Sequence, residues 1–277
     1  MSAADADGWR FEEHIRDVSD DEVAFFGENG WVGLPGLVSG ELAAELLRRI
    51  KDVTGLDYDE LEPGSDANGN ATLRSSAFNL LTMPRLQDPF LAAYQSSPKL
   101  GEVAARLSGN RPMRLLTDSV IYKLPHWTGA GDVTEWHQDL PNMPLDRRGP
   151  VQLWLSLCEI TPEMGSMQHL SGSQREEVLR PMGQKSLEEL LEAHPHLAKY
   201  PISESEHFAP GDAIAHDGMT LHYAPVNNTN RIRWAYTSYR VPADTQYTAN
   251  PPSPWLDGLG LKPNEPMEHP LLPIVTA

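Results

Sequence analysis

From Arg114 onward the sequence is a succession of short apolar runs separated by proline, glycine and aspartate, and this feature limits the possible folds most. Runs of this kind, bounded by turn residues, are typical of β-strands. They lie at 115–124, 151–160, 166–170, 212–216 and 231–241. Many short strands that follow a helical segment favour a double-sheet jelly roll of the cupin kind, which holds metal sites in the mouth of the barrel.

The N-terminal third has the pattern of amphipathic helices. A capping box at Ser19 opens a predicted helix over 19–30, and leucine and isoleucine recur at helical spacing over 41–53. A Ser-Pro pair opens a third helix over 97–109, and a second capping box at Ser186 predicts a short helix in an insertion. We therefore predict a mainly β protein with flanking helices (α+β), in which a jelly-roll core has N-terminal helices packed outside.

The chain is predicted to form one domain over 1–277, because no boundary divides it. Its parts are a helical segment at about 8–110, a jelly-roll core at about 112–241 and a coil tail at 242–277. Within the helical segment, residues 56–72 are acidic, rich in glycine and asparagine, and without periodicity. We predict a mobile loop there that could serve as a lid.

Charge and cysteine content exclude several classes of partner. Lysine plus arginine number 22 against 39 acidic residues, and the net charge of −17 disfavours binding to nucleic acid or to an anionic membrane. No run of about 18 apolar residues is present, and the first seven residues include two aspartates and no basic residue, so we predict neither a membrane span nor a signal peptide. Cys158 is the only cysteine, which excludes an intrachain disulfide and favours the cytoplasm.

A set of potential metal ligands lies in the β-rich part. His137 and Asp139 are two positions apart, and alternate residues of a strand share a face, so both can reach one ion while Gln138 points away. His216 and His222 compete for the third position; we favour His222, because a turn and an arginine-bearing strand follow it. Two histidines and one carboxylate on one face of an ion leave positions for oxygen and a co-substrate, as in non-haem Fe(II) oxygenases.

Arginines near this set could bind such a co-substrate. A five-carbon dicarboxylate bound to iron through its keto acid end leaves its far carboxylate inside the barrel, where burial without a partner is costly. A guanidinium meets a carboxylate with two parallel hydrogen bonds and stays charged in a dry pocket. Arg231 and Arg233 have the same strand parity, so parity cannot choose between them.

Four segments together resemble a known family. They are Trp136-His137-Gln138-Asp139, the strand and turn at 151–167, Ser171-Gly172-Ser173, and 210–233. Over roughly 23–241 the chain resembles the phytanoyl-CoA dioxygenase family of Fe(II)/2-oxoglutarate oxygenases. In that family the distal histidine is followed by asparagine five residues on and by arginine nine and eleven residues on. Here these positions are His222, Asn227, Arg231 and Arg233.

The resemblance implies that His137, Asp139 and His222 bind Fe(II), and that 2-oxoglutarate chelates the metal with its far carboxylate on Arg233. Trp154 matches a tryptophan that lines the co-substrate pocket in the family. With O2 as the oxidant, such an enzyme hydroxylates an unactivated C–H bond and converts 2-oxoglutarate to succinate and CO2. The carboxylate at position 139 indicates hydroxylation or another oxidation rather than halogenation, which would need a small residue there.

The chain departs from the family pattern at two places. Gln174 replaces a histidine, and Tyr223-Ala224 stands where the family often has Gly-Ser or Gly-Ala. Neither departure changes a predicted ligand. Two other functions fit part of the pattern. Two histidines with a carboxylate also suit catalytic zinc, as in a cupin-type zinc-dependent hydrolase or isomerase. A metal-binding barrel protein without catalytic activity is the other.

The predicted substrate is a free small molecule, either a specialised metabolite or an amino acid derivative. A coenzyme A thioester would need a cluster of basic residues for its phosphates, and the sequence has none. Trp127 and Met143 flank the predicted ligand pair and are our first choices for substrate contacts. Phe78, Asn79 and Trp255 are further candidates on loops.

Overall fold

The computed structural model describes residues 8–62 and 78–276, and its strands form two antiparallel sheets. The strands are β1 (Trp31–Leu34), β2 (Asn79–Thr82), β3 (Met113–Lys123), β4 (Thr134–His137), β5 (Val151–Ser156), β6 (Gln168–His169), β7 (Ala213–Asp217), β8 (His222–Ala224) and β9 (Arg233–Pro242). The large sheet has the order β1-β7-β5-β9-β3-β2, and the small sheet has the order β4-β8-β6. Antiparallel sheets with flanking helices confirm the predicted fold class. The described strands do not close into a hydrogen-bonded barrel, because the two sheets share no ladder.

Most helices begin where the sequence predicts them. They are α1 (Phe11–His14), α2 (Asp20–Asn29), α3 (Gly40–Thr54), α4 (Pro89–Gln95), α5 (Pro98–Leu107) and α6 (Leu187–Ala193). The capping box at Ser19 is complete. At Ser186 only half of the box forms: its hydroxyl accepts from the N–H of Glu189, but the Glu189 carboxylate accepts from Lys185 instead. In the described part of the chain, no helix is long and apolar enough to cross a membrane.

The segment predicted to be helical also supplies both edge strands of the large sheet. β1 pairs with β7, and β2 pairs with β3. Each edge strand has four residues, which is too short for alternation to stand out between helices. Part of the predicted loop is ordered against the segment that precedes β9: Glu60 bridges to Arg231, and the N–H of Leu61 donates to the carbonyl of Asn230. Residues 63–72 of that loop lie outside the described residues.

Strand alternation divides the side chains of the large sheet between two environments. Trp234 and Tyr236 of β9 belong to the largest buried apolar cluster, which includes side chains of α3 and α5. Arg233, Thr237 and Tyr239, which have the opposite parity, face a cavity between the two sheets. The helices therefore cover one face of the large sheet, and the other face is left for the site.

The C-terminal tail packs on β3. The N–H of Val275 donates to the carbonyl of Met113, and Ile274 bridges to Arg114. A separate apolar cluster joins the tail to the core through residues that include Leu256 and Met143. The assignment of the whole chain to one domain stays a prediction.

Candidate metal centre

His137, Asp139 and His222 converge at the cavity between the sheets. One ligand atom from each lies within 4.8 Å of the others. Nε2 of His137 is 3.4 Å from Oδ1 of Asp139, and Nε2 of His222 is 3.8 Å from Oδ2 of Asp139. The two histidines are register partners, because β4 ends at His137 and β8 begins at His222. The predicted convergence of these three side chains is therefore present, and their role as ligands stays a prediction.

Asp139 reaches this group by a route that differs from the predicted one. β4 ends at His137, so strand alternation does not extend to Asp139. Its backbone is helical, with φ −80° and ψ −46°, and it precedes a 3-10 turn at Leu140–Asn142. The N–H groups of Asp139 and of the next residue both donate to the carbonyl of Gly218. This turn directs the carboxylate to the imidazoles, while the Gln138 side chain is buried elsewhere, as predicted.

Hydrogen bonds to the backbone fix which nitrogen of each imidazole is free. Nδ1 of His137 lies 2.7 Å from the carbonyl oxygen of Glu135, and Nδ1 of His222 lies 3.0 Å from that of Thr220. A carbonyl oxygen only accepts, so each Nδ1 carries a proton, and in the neutral imidazole Nε2 keeps its lone pair. Burial lowers the pKa of His137, but the neighbouring Asp139 outweighs burial and raises this pKa, so a metal would displace any proton on its Nε2. Histidines that bind metals through Nε2 have this arrangement.

The charges in the group also suit a cation. Burial raises the pKa of Asp139, but the surrounding imidazoles, that of His222 most strongly, outweigh burial and hold this pKa well below its usual value. Burial, followed by the neighbouring His137, lowers the pKa of His222 well below its usual value. Metal ligands must be deprotonated. At neutral pH Asp139 is therefore an anion and His222 is neutral, which are the forms that bind a metal.

His216, the alternative third ligand, has a different contact. It is fully buried on β7, and its Nε2 lies 3.0 Å from Oδ2 of Asp139. An ionised carboxylate only accepts, so Nε2 of His216 donates the hydrogen bond. The preference for His222 over His216 agrees with this geometry.

The two candidate arginines lie in different environments. Arg231 precedes β9, and its guanidinium pairs with Glu159 at 3.0 Å on the surface. Arg233 is 2% exposed and faces the cavity, with its guanidinium 5.7 Å from the ring centre of Trp154. Only Arg233 is therefore in a position to meet a ligand inside the cavity.

Arg233 is a buried cation without a carboxylate partner among the described residues. Its terminal nitrogen donates to the carbonyl of Gly165, and its Nε has no acceptor. Burial lowers the pKa of Arg233 to about 10, so the group stays charged at neutral pH. A buried charge that lacks its counter-ion is unfavourable. The deep end of the cavity is therefore suited to an incoming anion.

Some of the residues predicted to contact the substrate line the cavity, and others lie outside its described lining. Met143, Phe78 and Trp255 line the cavity. Trp127 lies in a 3-10 turn at His126–Thr128, is 42% exposed and is outside the described lining. Asn79 is buried and is also outside this lining. Met143 keeps its predicted role as a proposal, and the position of Trp127 does not support one.

Sequence reasoning missed several polar residues of the lining. Thr237 and Tyr239 follow Arg233 at the same strand parity, so alternation along β9 could have found them. Gln152 and Asn142 also line the cavity. Gln152 precedes Trp154 by two positions, so the same rule applies to it.

Asn227, five residues after His222, has a structural role that accounts for an asparagine at this position of the family pattern. It is fully buried, and its amide donates to the carbonyls of Lys123 at 3.0 Å and Arg231 at 2.7 Å. Its Oδ1 accepts from the N–H of Thr229 at 3.1 Å and from the hydroxyl of the same residue. The side chain therefore ties the loop between β8 and β9 to the end of β3, which positions Arg233 relative to His222.

Replacing Asn227 with leucine is expected to lower the free energy of unfolding by about 2–4 kcal/mol, since buried donors and acceptors lose their partners. Urea denaturation of the metal-free protein would measure this loss. Asn228→Leu is the matched control: Asn228 is exposed, and its substitution should change the free energy by less than about 0.5 kcal/mol. Similar losses in both variants would contradict the structural role of Asn227.

Lys123 is a second buried basic side chain near Arg233. The two are register partners on β3 and β9, and Nζ of Lys123 donates to the carbonyl of Pro225 at 2.7 Å. Burial, followed by the charge of Arg233, lowers the pKa of Lys123 to about 6. Its side chain is therefore largely neutral in the folded protein at neutral pH.

The stability of the metal-free protein should consequently depend on pH through Lys123. An unfolded lysine has a pKa of about 10.4. Between pH 6 and 10 the unfolded chain binds this proton and the folded protein does not, so the free energy of unfolding rises with pH in this window. We expect Lys123→Met to flatten that rise, as measured by urea denaturation at pH 7 and pH 9. Parallel changes in both proteins would show that Lys123 keeps its proton when folded.

Solved structures of known proteins share this fold. The chain is similar to SnoK, a non-haem alpha ketoglutarate dependent carbocyclase from nogalamycin biosynthesis, with 22% identity, a TM-score of 0.75 and coverage of 94% of this chain and 97% of that chain. It is similar to the epimerase SnoN, in complex with Fe3+, alpha ketoglutarate and nogalamycin RO, with 19% identity, a TM-score of 0.74 and coverage of 92% and 98%. EctD from S. alaskensis, with 2-oxoglutarate and 5-hydroxyectoine, has 19% identity, a TM-score of 0.66 and coverage of 86% and 82%.

The likeness to these structures establishes the fold. No curated protein matches the sequence. The model of the family described as phytanoyl-CoA dioxygenase matches residues 26–235, a span that includes the three converging side chains and Arg233. The resemblance found in the sequence is confirmed, and the chain belongs to the phytanoyl-CoA dioxygenase family.

Proposed function

We propose that the protein is a non-haem Fe(II)/2-oxoglutarate-dependent dioxygenase in which His137, Asp139 and His222 bind the iron and Arg233 binds 2-oxoglutarate. One observation carries this proposal: a buried guanidinium without a counter-ion faces the same cavity as three converging metal-ligand atoms. Family membership supports it. So do the similar proteins SnoN, solved with Fe3+ and alpha ketoglutarate, and EctD, solved with 2-oxoglutarate.

The residues present fit Fe(II). Two imidazoles with free Nε2 lone pairs and one ionised carboxylate form the 2-His-1-carboxylate set that leaves open positions for other ligands. When bound, the iron supplies oxygen activation, coupled to conversion of 2-oxoglutarate to succinate and CO2. The protein's part is to bind, to orient and to exclude water.

Particular side chains perform these tasks. Arg233 would hold the far carboxylate of 2-oxoglutarate with parallel, charge-assisted hydrogen bonds. The ring of Trp154 lies beside this guanidinium and packs edge-on against Phe208, so it forms a rigid wall at the deep end of the cavity. Both Trp154 and Arg233 are buried, which keeps water away from the place where the anion would bind.

The same observation weighs against the alternative functions. A zinc-dependent hydrolase or isomerase would use two histidines and a carboxylate, and its remaining ligand would be water or substrate. Such an enzyme would have no use for a guanidinium without a counter-ion in the same cavity. A metal-binding protein without activity would gain nothing from it either, since the buried charge is unfavourable when no anion is bound.

The cavity lining favours an uncharged substrate. Apart from the three proposed ligands and Arg233, its described side chains are apolar or carry hydroxyl or amide groups, as in Phe78, Thr82, Ser119 and Asn142. Among the described residues, a charged amino acid derivative or a coenzyme A thioester would lose its hydration without gaining a counter-ion. We therefore propose a neutral specialised metabolite.

Hydroxylation of an unactivated C–H bond remains our proposal for the reaction. SnoK is a carbocyclase and SnoN is an epimerase, so other outcomes occur on this fold. We also propose that the enzyme acts in the cytoplasm on a small molecule, without a nucleic-acid or membrane partner, which agrees with its net charge of −17.

Succinate release would test the proposed function. Anaerobically purified protein is loaded with Fe(II), given 2-oxoglutarate and oxygen, and screened against neutral hydroxylated metabolites and charged amino acid derivatives. We expect neutral compounds to stimulate succinate release, and zinc-loaded protein to release none. Succinate that never exceeds the level of an Asp139→Ala control, with any compound, would contradict the proposal.

A further inference from the structure

A side chain of the large sheet hydrogen-bonds to the carboxylate of Asp139. Oδ1 of Asp139 lies near Nε2 of His137, and Oδ2, which is 3.8 Å from Nε2 of His222, accepts a hydrogen bond of 3.0 Å from Nε2 of His216. Tyr239 lines the same cavity as this carboxylate. Asp139 therefore has one protein donor, His216, besides its proposed metal, and Tyr239 offers a hydroxyl in the same cavity.

His216 and Tyr239 belong to one row across three neighbouring strands. His216 on β7 is the register partner of Gln152 on β5, and Gln152 is the register partner of Tyr239 on β9. The Gln152 amide donates to the Tyr239 oxygen at 2.5 Å, which leaves the Tyr239 O–H free to donate to Asp139. The backbone of the large sheet therefore sets the positions of His216 and Tyr239.

Packing alone does not account for His216. It is fully buried, and its Nδ1 has no hydrogen-bond partner among the described residues. Its ring lies against His222 and His169, at centroid distances of 4.3 Å and 5.5 Å. A buried polar atom without a partner is unfavourable, and an apolar side chain would fill the same space without that cost. The contact with Asp139 is the one favourable polar interaction that this ring makes in the described structure.

The number of coordination positions on an octahedral metal ion indicates what the hydrogen bond from His216 to Asp139 could do. An octahedral ion has six positions: three for the proposed protein ligands, two for a chelating 2-oxoglutarate and one for oxygen. A carboxylate can bind a metal through one oxygen or through both. If Asp139 bound through both oxygens, it would occupy the position that oxygen needs.

We propose that His216 and Tyr239 are positioning residues that hold Asp139 as a one-oxygen ligand and thereby keep a coordination position open. This inference rests on the proposed function, because it requires Asp139 to bind the metal. His216 acts directly on Oδ2, and Tyr239 assists from the other end of the row.

Cobalt(II) is the probe for the test, since its visible absorption reports coordination number and needs no turnover. We expect His216→Leu to weaken Co(II) binding by about 10–100-fold, the usual effect of losing a hydrogen bond to a metal ligand. Its Co(II) spectrum should change to that of a higher coordination number. His216→Gln can place an amide donor near the position of Nε2, and should restore affinity and spectrum to nearly those of the wild type.

His169→Leu is the matched control. His169 is a buried histidine whose ring stacks on that of His222, but its ring nitrogens have no hydrogen-bond partner among the described residues. Its substitution should change Co(II) affinity by less than about threefold, well below the effect of losing a hydrogen bond to a ligand. If His169→Leu matched the effects of His216→Leu, the cause would be packing and the proposal would be overturned.

Two further variants keep the test decisive. If His216→Leu does not fold, Tyr239→Phe removes a single hydroxyl from the same row, and an unchanged Co(II) affinity and spectrum would then overturn the proposal.

Asp139→Ala distinguishes a failure of the proposed function from a failure of the role proposed for His216 and Tyr239. If Asp139→Ala binds Co(II) as the wild type does, the proposed function itself fails. If Asp139→Ala loses the metal while folded His216→Leu and Tyr239→Phe bind it normally, only this inference fails.

Discussion

Arg233→Met is expected to raise the concentration of 2-oxoglutarate needed for half-maximal turnover by about 100-fold or more. Hydrogen bonds to charged groups contribute about 1.5–3 kcal/mol each, and a bidentate guanidinium makes two of them to one carboxylate. Methionine keeps much of the volume of the side chain next to Trp154 and removes the charge. Steady-state succinate release as a function of 2-oxoglutarate concentration would measure the change.

The control for this prediction is Arg231→Met. Arg231 lies two positions earlier, and its guanidinium pairs with Glu159 at the surface. Exposed ion pairs contribute little, about 0–1 kcal/mol, so this variant should keep the wild-type 2-oxoglutarate requirement within about threefold. Metal affinity measured with Co(II) should be unchanged in both variants. Equal increases in the 2-oxoglutarate requirement would show that neither arginine binds the co-substrate directly.

Asp139→Ala is expected to abolish succinate release and to weaken Co(II) binding by more than the roughly 10–100-fold typical of outer-shell substitutions. The variant loses the only anion of the proposed ligand set and leaves two neutral imidazoles. It also frees His216 from its hydrogen bond. Calorimetric titration with Co(II) would measure the affinity, and succinate release with Fe(II) would measure turnover.

Glu135→Ala is the control for the loss of a carboxylate near the site. Glu135 is exposed and two positions from His137; it hydrogen-bonds to that histidine only through its backbone carbonyl, and its carboxylate acts on the histidine only through its charge. This variant should therefore bind Co(II) as the wild type does. Wild-type metal binding by Asp139→Ala, or an equal loss in Glu135→Ala, would refute the assigned role of Asp139.

Interactions between residues close together in the chain made much of the fold predictable. The capping box at Ser19 and the helical spacing over 41–53 act within a few residues, and α2 and α3 begin and end close to the predicted positions. The strands β3, β5, β7 and β9 lie within two residues of the predicted starts, because long apolar runs between turn residues have few other solutions. Edge strands β1 and β2 were missed, since four residues carry too little pattern.

The route by which the site assembles was less predictable. His137 and Asp139 were expected to share a strand face, but the strand ends between them and a turn anchored on Gly218 directs the carboxylate. The row of His216, Gln152 and Tyr239 was also missed as a unit. More than sixty residues separate Gln152 from His216 in the chain, and more than twenty separate His216 from Tyr239. Only strand register brings the three together.

The sequence by itself determined the chemistry of the site: the residue types, the helices and strands that carry them, and the family. Only the tertiary structure separated residues that look equivalent in the chain. His216 and His222 are six positions apart, yet β7 belongs to the large sheet and β8 to the small one, so one imidazole supports Asp139 and the other faces the shared ligand space. The physical reason is that residue type is local, whereas the direction of a side chain depends on which distant strand its own strand pairs with.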